Sequence, residues 1–174
     1  YVILGIVLIV VAYIGFNRFY ITPLEEEATD QMFMAERFFE RDSFNLALNG
    51  YGTFPGFLQI TEDYGITKTA NLASYYAGVC YLQLGDYESA IDFLNDFKTD
   101  DVLIGSAKYA AMGDAYVELG EYENAVREYN RGISDYINDF TTPALLKKTG
   151  LVQEEMQEYN EAVETYQRIS KEFP

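Results

Sequence analysis

Along most of the chain apolar residues recur three and four positions apart, the period of a helix with one buried face. The first 16 residues break that rule. YVILGIVLIVVAYIGF, Tyr1 to Phe16, is apolar on every side. A helix of that kind lies either in a protein core or in lipid. At ~1.5 Å per residue it covers roughly 24 Å, slightly less than a ~30 Å hydrocarbon core. Phe19, Tyr20 and Ile21 extend the apolar character past Arg18. An arginine there snorkels, and the Phe/Tyr pair suits an interfacial belt. The pattern predicts a transmembrane anchor over residues 1–21, followed by a helical domain over 22–174. A buried core helix and a signal peptide are the rival readings, the latter lacking a small-residue cleavage site. Because the chain begins at Tyr1 and not at Met, further residues are expected upstream.

The next pattern is a helix start. In ITPLEEEA, Thr22 is expected to cap, Pro23 to take the first helical position and Glu25 to complete a capping box. Glu25, Glu26 and Glu27 would then sit at the positive end of a helix dipole. TTPALL, Thr141 to Leu146, repeats the device, and almost no linker separates anchor from domain.

The helical period is itself repeated. LGDYESAIDFL, Leu84 to Leu94, returns 35 residues later as LGEYENAVREY, Leu119 to Tyr129. Gly78 matches Gly113, Tyr81 matches Tyr116, Tyr87 matches Tyr122, and Ala90 matches Ala125. A more divergent copy runs from Lys147 to Pro174, with Gly150, Tyr159, Ala162 and Tyr166 in step. A period near 34 with small residues in both helices resembles the tetratricopeptide repeat, a stack of antiparallel helix pairs. The small residues admit a close neighbour, the tyrosines fill the space between helices, and Gly85 and Gly120 suit a left-handed helix end. The fold expected is all-α: one membrane helix, then a solenoid of about three to four repeats, with units near 28–65, 71–104, 106–140 and 143–174. In the earliest unit Ala35 stands at the glycine position. The 43 residues from Ala35 to Gly78 leave about nine inserted, within Asn49 to Gly65. Glycines and Pro55 predict a loop there, with Phe57 as its candidate contact, before FLQITEDYG ends a helix.

Composition narrows the function classes. Asp and Glu number 28 against 12 Lys and Arg, a net charge of −16, which argues against nucleic acid and against an anionic lipid surface. Histidine is absent, so general acid–base catalysis and most zinc sites lose their usual residue. No phosphate-binding glycine loop or nucleophile motif is present. The expectation is a non-enzymatic protein with no catalytic residues, cofactor, metal or small-molecule substrate. Paired acids such as Asp100–Asp101 read as solvated surface. Cys80 reads as a buried, inert thiol.

Stacked repeats present a concave face. In tetratricopeptide repeats it is lined by first-helix positions two, five, nine, twelve and thirteen. The resemblance places there Thr29, Met32, Glu36, Phe39 and Glu40; then Leu72, Tyr75, Val79, Leu82 and Gln83; then Ala107, Ala110, Asp114, Val117 and Glu118; then Ala144, Lys147, Leu151, Glu154 and Glu155. That groove would be apolar with acidic edges, suited to an apolar or basic peptide or a partner helix. Tyr75 has packing as its alternative role. Repeats that clamp a carboxylate carry lysine and asparagine at positions five and nine, where the second unit has Tyr75 and Val79. On the anchor, Gly5, Leu8, Ala12 and Gly15 form a small-residue stripe on which another membrane helix could dock.

One span, an abrupt helix start and acidic repeats resemble the YfgM-like family of bacterial inner-membrane proteins, and LEEEATDQMFMAERFFERDSFNLALNG looks like its Bacteroidota members. The resemblance implies a single pass through the inner membrane with the repeats in the periplasm. It also implies association with the SecYEG translocon, a PpiD-like chaperone and emerging secretory chains. Two alternatives stay open: a scaffold of another envelope secretion or outer-membrane assembly complex, and a receptor inverted toward the cytosol. Ending at Pro174 leaves the last repeat without a polar cap, so more chain or a covering partner is expected.

Overall fold

The computed structural model describes residues 2–173. Tyr1, the first residue of the expected anchor, and Pro174, the last of the expected solenoid, lie outside them. Helix α1 (Val2–Phe16) is apolar throughout and buries none of its residues. It does not stop at the expected start of the next helix. A π-helical turn, Asn17–Ile21, carries it without a break into α2 (Thr22–Phe39). The result is one helix from Val2 to Phe39, the only one among the described residues long and apolar enough to cross a membrane.

The expected capping box is therefore absent. Ile21 and Thr22 both have right-handed helical dihedrals, and no side chain caps α2. Thr22 donates its hydroxyl to the carbonyl of Asn17 at 3.1 Å instead. The reason lies in Pro23, whose ring would collide with the carbonyl one turn back and which offers no N–H. A wider π turn just before it absorbs that conflict and lets the helix continue. No helix end exists for Glu25–Glu27 to neutralise.

Beyond α2 follow α3 (Phe44–Asn49), α4 (Phe57–Asp63), α5 (Lys68–Leu84), α6 (Tyr87–Asp96), α7 (Val102–Glu118), α8 (Tyr122–Asp135), α9 (Thr142–Glu155) and α10 (Tyr159–Glu172). They form four helical hairpins: α2 with α3 and α4, α5 with α6, α7 with α8, and α9 with α10. Each hairpin turns on the same backbone motif. Asp42, Gly85, Gly120 and Gln157 all have positive φ, between 55° and 83°. The residue after each donates its amide five residues back: Ser43 to Phe38, Asp86 to Tyr81, Glu121 to Tyr116 and Glu158 to Gln153. This is the Schellman ending, which satisfies carbonyls that a helix terminus leaves open. Glycine adopts it freely in the two middle turns, whereas Asp42 and Gln157 adopt it with a side chain in place.

The chain forms two compact units that divide at residue 80, within α5. In the first, Ala28, Met32 and Ala35 of α2 are buried with Ala47, Leu48, Phe57 and Ile60. Phe39 meets Phe44, Phe57 and Tyr76 edge-on, with centroids 4.9–6.3 Å apart. The insertion splits the second helix of this hairpin into α3 and α4. Its loop is closed by paired hydrogen bonds between Tyr51 and Phe54, 2.9 and 3.0 Å. Gly56 lies so close to the carbonyl of Leu48 that no side chain fits. Phe57 belongs to α4 and is fully buried, so it is packing and not a loop contact.

In the second unit, Tyr129, Ile133, Leu145, Leu146, Val152 and Ala125 form the core, with Tyr116 and Tyr122 packed on it. Gly113 and Gly150 face the rings of Tyr129 and Tyr166, and a methyl group on either glycine would overlap the ring. The small-against-aromatic logic of the repeat is realised at both pairs. Pro143 occupies the first turn of α9, but Thr141 makes no capping hydrogen bond. The Asn138 carboxamide accepts from the amides of Phe140 and Thr141 instead. Asp101 is not mere solvated surface: it caps α7, accepting from Leu103 and Ile104 at 2.9 Å.

Candidate functional site

In the first unit the candidate residues are partly consumed by packing. Met32 is 3% exposed and cannot line an accessible face, because α2 buries that side against its own hairpin. Phe39 is held in the aromatic cluster. Glu36, Leu72, Tyr75 and Val79 remain half-exposed. The Tyr75 ring stands edge-on to Tyr76 at 5.8 Å, and burial raises the pKa of its hydroxyl. Glu36 has its pKa raised by burial and by the nearby charge of Glu40. A nearby cation would offset the repulsion from Glu40 but not the burial.

In the second unit α5 and α7 bring five candidates together, Gln83 and Glu118 beside Leu82, Asp114 and Val117, and α9 adds Lys148. Leu82, Asp114 and Val117 line one cleft of about 430 Å³ with Gln83, Tyr87, Glu118 and Lys148. The Tyr87 hydroxyl donates to Glu118 at 3.3 Å. Asp114 is the hub. It accepts from the Tyr129 hydroxyl at 2.7 Å and from the Lys148 ammonium at 2.7 and 2.9 Å. Burial and the Asp114 carboxylate raise the Tyr129 hydroxyl well above its usual pKa, so it remains a donor. Lys148 is spent on Asp114, which leaves Glu118 to set the sign of the cleft. The floor is thus more polar than an apolar groove with acidic edges.

Ala110 does not face that cleft. It lines a neighbouring pocket of about 290 Å³ with Ser106, Ala107, Phe140, Thr141, Ala144, Leu145 and Lys148. This one is apolar, and Phe140 stands 82% exposed at its edge. Lys148 borders both spaces. The repeat resemblance pointed to Lys147, which lies out in solvent. What selects Lys148 is Asp114, 34 residues away in sequence. No local pattern pairs them.

The tetratricopeptide repeat model matches residues 72–101 and 146–174, and a second model of the same repeat matches 109–134. The hairpins α5–α6, α7–α8 and α9–α10 are thus of the tetratricopeptide type. No curated protein and no solved structure gives a significant match to the chain. Repeats of this type suggest a protein-interaction scaffold. Among the described residues no group of three or more His, Cys, Asp or Glu side chains is placed to hold a metal. Cys80 is buried, and burial pushes its thiol pKa up to about 12. Gly5, Leu8 and Ala12 of the membrane-helix stripe are exposed, and nothing approaches Gly5 or Gly15.

Proposed function

We propose that this chain is a non-enzymatic, membrane-anchored tetratricopeptide scaffold. On this reading it is a periplasmic accessory of the Sec translocon, and its repeats hold a PpiD-like chaperone or an emerging secretory chain at the membrane. The observation that carries the reading is the unbroken helix from Val2 to Phe39, which makes the anchor and the first repeat one rigid piece. The cleft chemistry supports a peptide ligand. Glu118 favours a basic residue, and the Ala107–Ala110–Ala144 pocket favours an apolar one. A scaffold of another envelope secretion or outer-membrane assembly complex is the alternative.

A photo-crosslinking amino acid at Val117, in native membranes, tests the proposal. Adducts with a translocon subunit or a periplasmic chaperone support it. Adducts confined to another secretion or assembly machine favour the alternative. Isolation in mild detergent without any translocon subunit counts against the first reading.

A further inference from the structure

We propose that the turn from Tyr64 to Lys68, with Ile66 at its tip, rests in the headgroup boundary of the bilayer that α1 crosses. The inference depends on α1 being a membrane span, and it adds a second contact surface to the anchor.

The argument begins with chain direction. Helix α4 starts beside the far end of α2, where Phe57 stacks on Tyr76 at 5.1 Å and meets Phe39 at 6.3 Å. It finishes beside the near end, where the Tyr64 hydroxyl donates to Glu27 at 3.2 Å. Twelve helical residues separate Glu27 from Phe39, about 18 Å along the axis. Helix α5 then leaves in the opposite direction. Thr69 bonds to Glu25 and Thr29 at its start, and Tyr76 meets Phe39 two turns later. So α4 runs toward the span, α5 runs away from it, and the turn between them is the part of this hairpin closest to the membrane.

Its level can be bounded. The Lys68 amide donates to the Glu25 carboxylate at 2.7 Å. Glu25 lies four residues past Ile21, about 6 Å along the helix, and its side chain leans back toward the N-terminus. Ile66 is two residues before Lys68, a reach of at most ~7 Å. Ile66 therefore stands within about a helical turn of the last apolar residues of the span. At that level Phe19 is 84% exposed and Tyr20 is exposed beside it, as an interfacial aromatic belt requires. Ile66 itself is 61% exposed. One exposed isoleucine is ordinary on a protein surface. Its place in line with the belt, on a turn clamped to the span by Glu25, is what points to lipid.

The surrounding charge identifies which lipid. Glu27 and Asp63 act on the Tyr64 hydroxyl and Glu25 holds the Lys68 amide, so acids outnumber Lys68 around the turn. An anionic surface would repel that set, so the occupant is a zwitterionic headgroup layer. Contact there would fix the tilt of the first repeat against the membrane.

The chain contains no tryptophan, so Ile66→Trp introduces a single reporter. The full chain is placed in zwitterionic phosphatidylcholine nanodiscs with brominated acyl chains, alongside Val10→Trp in the span and Glu40→Trp at the far end of α2. The expected result is strong quenching at Val10, clear quenching at Ile66 and none at Glu40. Because tryptophan itself favours interfaces, a nitroxide on Ile66→Cys must agree, with oxygen relaxing it more than a water-soluble nickel chelate. If Ile66 behaves like Glu40 while Val10 is quenched, the turn stands in water and the proposal is overturned, with the span intact. If Val10 is also unquenched, the span reading falls and takes the proposal with it.

Discussion

The Glu25 carboxylate accepts a hydrogen bond from the backbone amide of Thr69 at 2.9 Å, across 44 residues of sequence. It also accepts from the Lys68 amide at 2.7 Å and the Thr69 hydroxyl at 2.7 Å. An acid that looked like part of its own helix's cap instead caps the first helix of the next repeat. Open amides at a helix start are costly to leave unmade, and a carboxylate there is also favoured by the helix dipole.

Removing that cap loosens the joint between the first and second repeats. Glu25→Ala is expected to cost about 1–2 kcal/mol, the usual value of a helix cap. Burial alone would raise the Glu25 pKa. The Thr69 hydroxyl, the two amides and the Lys68 charge outweigh it and hold the pKa below the ordinary value. A depressed carboxylate contributes stability that is present above its unfolded pKa and lost as pH falls through the folded one. The wild-type melting temperature in detergent should therefore drop below about pH 4.5 more steeply than that of Glu25→Gln, read by circular dichroism.

Gly113→Ala tests the close approach of α7 and α8. The added methyl group would overlap the Tyr129 ring, which is fixed by Asp114 and by the core around it. Overpacking of this kind costs about 1–3 kcal/mol. Gly5→Ala, where nothing lies within 4 Å, should leave the melting temperature unchanged.

The fourth hairpin turn holds a correctable strain. Gln157 sits at φ 62°, where Gly85 and Gly120 stand in the second and third. A side chain in that conformation costs about 1–2 kcal/mol, partly offset by the greater flexibility of glycine when unfolded. Gln157→Gly is expected to stabilise by about 0.5–1 kcal/mol, measured as a rise in melting temperature.

Cys80 should be silent toward thiol reagents. With its thiol pKa raised to about 12 by burial, the native chain offers almost no thiolate at pH 8. Reaction with an aromatic disulfide reagent should be negligible in the folded protein and stoichiometric in guanidinium. Rapid native labelling would contradict the packing of α5.

Much of the fold was legible because a repeat writes its packing locally. Gly113 and Gly150 announce a close neighbour, Gly85 and Gly120 announce a left-handed turn, and Ala35 at the glycine position, 43 residues before Gly78, points to an earlier hairpin. Of the candidate site, the sequence named residues and not a binding surface: Leu82, Asp114 and Val117, placed by the repeat resemblance, line one cleft in the structure. Met32 failed as a contact because α2 turns that residue inward, and the period alone does not reveal which side its partner takes.

By itself the sequence determined an apolar first helix, about three to four helix pairs, and which positions had to be small or aromatic. Each of those follows from interactions within a helix or between helices adjacent in the chain. Only the tertiary structure decided that the helix runs through Pro23, that Glu25 caps α5, and that Lys148 is held by Asp114 at the border of two clefts. Those outcomes depend on which amides and charges distant segments bring within about 3 Å of one another. A distance of that kind is set by how whole hairpins stack, and no local pattern of residues carries it.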